Sequence, residues 1–337
     1  MLVRNEDVSI MDIRKTSEGF IAILYSDGTI RFLEWASGRH LSSTKVYIAT
    51  TTKSYWPSCT IFSPQCLFLA SAHCTRNGDS TISIHKLSNG AIARQLHYPG
   101  KVHFLCFSPD SRQIAVVGQN GEIRVWDWEE ERLKYTIVWR VGYLPDPDLN
   151  ESYGTLSVTP ERVSSLAFSP DGLFMVGNGE SEVYVWDIAT WTLVRTLEIN
   201  AVHIEFSPDG RHLSLGEDNG VSFWNTLSWE LAHTIRVANA EFEGFAFSPN
   251  GQFFAATDYF GKMWVWEIET AAVKLCVRFD SDEDAYFPML TPLFHSEGTS
   301  LIAGDSNAVY QWPIEDDGIR QPPTRLTLNG WAASPPL

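Results

Sequence analysis

The 337-residue chain has no run of apolar residues approaching the roughly 20 that a membrane-spanning helix needs, so nothing in it reads as an anchor. Its first residues, Met1-Leu-Val-Arg-Asn-Glu-Asp7, lack the hydrophobic stretch of a secretion signal, which makes a cytoplasmic or nuclear location the expectation. Cysteine is scarce. Cys59, Cys66, Cys74, Cys106 and Cys276 are odd in number and include no Cys-x-x-Cys pair, which excludes a disulfide framework and reads as reduced core or loop residues. The nine histidines show neither His-x-His nor His-Glu-x-x-His spacing, so no metal and no cofactor is expected. Basic residues are in deficit, 25 against 41 acidic ones, for a formal charge of −16. That balance argues against a nucleic-acid partner, whose phosphates need Lys and Arg, and against an anionic membrane surface. Also missing are Gly-x-x-x-x-Gly-Lys, Gly-x-Gly-x-x-Gly and Gly-x-Ser-x-Gly, which leaves phosphate cradles and nucleophile elbows without support. Carboxylates are plentiful, but general acid–base work needs a defined pair in a pocket and nothing singles one out, so the chain reads as no enzyme. Finally, no stretch holds a 3.6-residue period for more than about two turns.

What the chain does have is Phe-Ser-Pro, five times, at residues 62–64, 107–109, 168–170, 206–208 and 247–249. Each copy leads into a strand pair. After Phe107-Ser-Pro-Asp-Ser-Arg come the apolar run Ile114-Ala-Val-Val117, a turn at Gln119-Asn-Gly121 and the strand Ile123-Arg-Val-Trp-Asp-Trp128. Ser-Pro-Asp-Gly, at Ser169–Gly172 and Ser207–Gly210, fixes φ with proline and supplies positive φ with glycine, so it reverses the chain tightly. Asn120-Gly121, Asn219-Gly220 and Asp27-Gly28 form the next hairpin. Each unit is therefore an antiparallel meander, and strands apolar on both faces need cover on both.

Two degenerate units complete the series. Phe294-His-Ser-Glu-Gly-Thr-Ser-Leu301 and Ile13-Arg-Lys-Thr-Ser-Glu-Gly-Phe20 keep the seven-residue spacing, giving anchors near 13, 62, 107, 168, 206, 247 and 294. The expected fold is all-β, a seven-bladed β-propeller of four-stranded antiparallel blades. A closed repeat ring is one cooperative body, so residues 1–337 are expected to form a single domain. Residues 315–337 read as a partly linker-like tail. The outer strand of blade seven is expected either from Arg325–Asn329 or from residues 2–4.

These repeats resemble the WD-repeat family over essentially the whole chain. Trp-Asp closes the third strand at Trp126-Asp127 and Trp186-Asp187, with variants at Trp224-Asn225, Trp266-Glu267 and Trp312-Pro313. Blades one and two depart, with Leu33-Glu34 and His85-Lys86, and His85 reads as a core substitute for tryptophan. Asp27, Asp79 and Asp218 match the family's hairpin aspartate, whereas Asn120, Glu180, Phe260 and Ser306 do not. The family's Gly-His pair is missing, so cohesion must come mainly from packing, to which 13 Trp and 19 Phe contribute. The style of degeneracy is similar to the propellers of fungal NACHT-type WD-repeat proteins.

Phe107 and Phe168 stand 61 residues apart, the widest spacing in the series. A connection that long within a compact ring is usually functional or disordered. With the segments around 50–56 and 280–287 it would form an acidic, aromatic rim on the face where the family most often binds partners. The candidate contact residues are Trp56, Tyr143, Asp146, Asp148, Glu151, Tyr153, Asp282, Glu283, Asp284, Tyr286 and Phe287. Exposed ion pairs are worth about 0–1 kcal/mol, whereas a buried aromatic anchor carries about 2 kcal/mol or more, so the rings outrank the carboxylates. The resulting expectation is a non-enzymatic scaffold for a protein or peptide of basic character. A sensor propeller of the NACHT-type class and a propeller enzyme with a site in the central channel are the alternatives.

Overall fold

The computed structural model describes residues 10–16, 18–35, 37–46, 59–75, 77–118, 122–138, 166–179, 181–218, 220–238, 240–279, 290–304, 309–315, 318–319 and 323–326. Among them the regular structure is strand throughout. The innermost strands of the seven blades are Ile10–Lys15, Thr60–Phe62, Val102–Phe107, Leu166–Phe168, His203–Phe206, Phe242–Phe247 and Leu293–Phe294. Six blades are four-stranded antiparallel meanders in chain order. In the seventh, the strand Val309–Glu315 pairs at its far end with Gly318–Ile319 and at its near end with Thr324–Arg325, so the outer position is filled from the C-terminal segment.

Among the described residues seven separate hydrophobic cores hold the blades, each shared by two neighbours. Ile84 and Tyr98 of blade two pack with Phe107 and Trp126 of blade three. The last core joins Ile302, Val309 and Leu326 of blade seven to Ile13, Ile21 and Trp35 of blade one, which closes the ring. The predicted fold is therefore observed.

The recurrent Phe-Ser-Pro turn explains why each meander starts alike. The serine hydroxyl accepts the N–H of the residue five positions on, as in Ser108 from Gln113 (2.9 Å), Ser207 from His212 (2.9 Å) and Ser248 from Phe253 (2.8 Å). It also donates to the Asp or Asn two residues on, for example Asp209 at 2.7 Å. Blade one does this with Thr16, whose hydroxyl accepts the Phe20 N–H at 2.9 Å. Its turn is one residue shorter, because Thr16 N–H reaches the Phe20 carbonyl where Ser63 N–H reaches that of Phe68. The residue in the phenylalanine position of blade one is thus Lys15, two beyond Ile13, and it pairs with Ile21 as Phe62 pairs with Leu69.

Tryptophans in the turns after the third strands reach back to the preceding blade. Trp128 meets Phe68 edge-on at 4.8 Å, Trp191 stacks on Tyr135 at 4.6 Å, and Trp35 donates to Ser300 at 2.8 Å. Of the hairpin aspartates, Asp27 accepts Thr29 N–H at 2.9 Å and Asp79 accepts Gly100 N–H at 3.0 Å. In blade six the task passes to the buried Asp258, which accepts the N–H groups of Phe260 (3.0 Å) and Lys262 (2.8 Å).

Candidate functional site

All eleven rim residues named from the sequence, Trp56, Tyr143, Asp146, Asp148, Glu151, Tyr153, Asp282, Glu283, Asp284, Tyr286 and Phe287, lie outside the described residues. The backbone flanking them is described. The long connections leave after Val46, Val138 and Phe279. Val46 N–H bonds the Gly28 carbonyl and Phe279 N–H that of Gly261, so these outer strands end against the turns between second and third strands. In an antiparallel meander that end also receives the next inner strand, and all three connections therefore depart from one face of the ring.

The axis of the ring holds a second feature, a channel of about 630 Å³. Its wall follows from strand alternation. Phe62, Phe107, Phe168, Phe206, Phe247 and Phe294 turn mainly into the cores between blades, and the residue before each looks into the lumen. Those lumen positions are Ile61, Cys106, Ala167, Ala246 and Leu293 in five blades, but Arg14 in blade one and Glu205 in blade five. Lys15 takes the seventh phenylalanine place, and prolines of the Phe-Ser-Pro turns frame one mouth. Blades one and five stand nearly opposite in a ring of seven, so the charges face each other across an otherwise largely apolar lumen.

The electrostatics follow from that enclosure. Arg14 Nε lies 3.3 Å from Asp12 Oδ2. Burial pushes the Asp12 carboxyl up, opposed by Arg14. Burial likewise lifts Glu205 to about 7 against the pull of Arg14, and holds His203 down to about 4, with the Arg14 charge adding to the effect. The His203 ring lies edge-on to Phe245, centroids 4.6 Å apart. The Lys15 ammonium is pushed below its usual range by burial. No hydrogen bond to the Glu205 carboxyl and no ion pair of Lys15 occurs among the described residues.

Sequence reasoning missed these groups because it weighed loops by excess length. A usable signal was present: Asp12 and Arg14, and His203 and Glu205, alternate along inner strands whose counterparts carry mainly apolar or small residues. The other singled-out residues are structural. His85 is buried, with Nδ1 3.4 Å from the Gly90 carbonyl and its pKa lowered by burial. All five cysteines are free, and burial raises the thiols of Cys59 to about 11 and of Cys66 and Cys106 to about 12. Among the described residues no helix is long and apolar enough to cross a membrane.

A closed ring of meander blades, with Trp-Asp ending third strands and core tryptophans between neighbours, has the architecture that the resemblance to WD-repeat β-propellers implies. The family described as WD domain, G-beta repeat, matches residues 93–127, 150–187 and 191–225. The chain is similar to Protein hir-1 of Neurospora crassa, 24% identical over 115 residues, covering 34% of this chain and 11% of the relative. It is also similar to the small ribosomal subunit protein RACK1y of Oryza sativa subsp. japonica, 25% identical over 144 residues, covering 42% of this chain and 36% of the relative. The match thus spans well under two thirds of either relative. Neither bears on the narrower likeness to NACHT-type propellers.

Proposed function

We propose that this propeller is a non-enzymatic interaction scaffold that presents one face, built from the 47–57, 140–161 and 280–291 connections, to a protein or peptide of basic character. The observation that carries the reading is the common departure of the three long connections from one end of a ring held by seven cores. Loops mounted on such a frame are the usual carriers of recognition. The acidic excess favours encounter with a basic partner, and aromatic anchors supply affinity. One relative, a small ribosomal subunit protein, fits a chain that works within an assembly.

A catalytic channel draws less support. His203 is held neutral and packs on Phe245 instead of bonding Glu205, so the two form no acid–base pair.

The test is proximity labelling in the native cell with the wild-type chain, a Tyr143→Ala, Tyr153→Ala, Tyr286→Ala variant, and a Leu227→Ser control in the turn after the third strand of blade five. Partners lost with the triple variant and kept with the control support the rim. An unchanged partner set removes it.

A further inference from the structure

Across the channel, two charged inner strands oppose each other without neutralising each other. Blade one contributes two cations, Arg14 and Lys15, against one committed carboxylate, Asp12. Blade five contributes Glu205, whose carboxyl makes no hydrogen bond among the described residues, while its backbone carbonyl also accepts the Ser214 hydroxyl at 3.0 Å. An uncompensated charge in an apolar enclosure is costly, and a cavity of about 630 Å³ lies within the size range of small-molecule sites.

We propose that the channel binds an organic monoanion with an apolar body, such as a medium-chain carboxylate. Arg14 and Lys15 receive the head, and Ile61, Ala167, Ala246 and Leu293 line the tail's path.

Glu205 gives this site a pH dependence. Held protonated up to about 7, it donates its O–H to the anion; once ionised, it confronts the anion as a like charge. The other titratable side chains lining the wall are Arg14, Lys15, Cys106 and His203. His203 is neutral down to about 4 and the Cys106 thiol is neutral to about 12, while burial pushes the Lys15 ammonium below its usual range. Asp12, although raised by burial, keeps Arg14 at its side. If only the form with neutral Glu205 is competent, its fraction falls from roughly 0.9 at pH 6 to roughly 0.1 at pH 8, an affinity loss of about tenfold.

Calorimetric titration of the full chain with octanoate, and separately with octylammonium, tests this. The expected result is one octanoate per chain, bound about tenfold more tightly at pH 6 than at pH 8, with octylammonium much weaker. Glu205→Gln is expected to keep the pH 6 affinity at both pH values, and Lys15→Met to lose about tenfold or more. Thermal melts accompany each variant, and Ala167→Trp, which fills the lumen without removing charge, is expected to abolish binding if Lys15→Met does not fold. Absence of octanoate binding at pH 6, octylammonium binding as tightly, or unchanged affinity in a folded Lys15→Met or Ala167→Trp chain would overturn the proposal. Glu205→Gln retaining the full pH dependence would overturn the gate.

Discussion

Glu205 and His203 stand two positions apart on one inner strand, and the same burial displaces them in opposite senses. Glu205 is raised from 4.5 to about 7 in the fold, so the stability it contributes is full below 4.5 and is lost as pH rises through about 7. His203 is lowered from 6.5 to about 4, so its contribution is full above 6.5 and is lost as pH falls through about 4. Glu205→Gln, which cannot ionise, should therefore melt higher than wild type at pH 8, with the gap closing towards pH 4. His203→Gln should shift the melting temperature relative to wild type in the opposite pH window, gaining as pH falls from 6.5 to 4. Melting curves at pH 4, 5, 6, 7 and 8 check both, and parallel curves for Glu205→Gln and wild type would refute the assignment. At this scale the sequence was informative only where a residue's neighbours are local. Asp12, Arg14, His203 and Glu205 acquire meaning from a lumen that exists only when blades one and five face each other, and no local pattern states that.

The first turn of each blade is the element on which the repeat depends, and its chemistry is local enough to be legible. Proline and glycine in Ser-Pro-Asp-Gly predicted the reversal, and the structure adds the serine hydroxyl that serves as a hub inside it. In blade six Ser248 is fully buried, accepts the Phe253 N–H at 2.8 Å and donates to Asn250 at 2.7 Å. Removing it leaves a buried donor unpaired, a penalty of about 1–3 kcal/mol. Ser248→Ala should lower stability by that order, and Ser248→Thr should recover most of it, because Thr16 already does the same work in blade one. Denaturant unfolding of both variants decides, and an alanine variant as stable as wild type would deny the hub its role. The same local logic failed in blade one. There the turn is one residue shorter, so the seven-residue spacing from Ile13 to Phe20 was coincidental and the true counterpart of phenylalanine is Lys15. A spacing reports register only when the turn between the strands is of constant length.

For the whole molecule, what matters is how the ring is shut, and there the sequence left two strands open as candidates. The choice depended on pairing between distant segments, which no hydrophobic period encodes. In the structure Thr324 pairs with Gln311 and Arg325 with Tyr310, and Leu326 then turns inward, its N–H on the Val309 carbonyl at 2.9 Å. Leu326 is 5% exposed and belongs to the core shared by blades seven and one, so it serves the blade and the seam together. Truncating it to alanine should cost about 2–5 kcal/mol, as for other buried leucines. The shape of the transition is the more telling observable. Blade seven also shares a core with blade six, through Leu301 and Trp312 beside Val265 and Leu275, so a weakened seam has no independent unit to release. Leu326→Ala should therefore lower the melting temperature of one sharp transition, followed in parallel by tryptophan fluorescence and far-UV circular dichroism. If an early partial transition appeared while the rest of the signal melted at the wild-type temperature, blade seven would be separable, and the rigid ring on which the scaffold reading relies would not exist as one cooperative body.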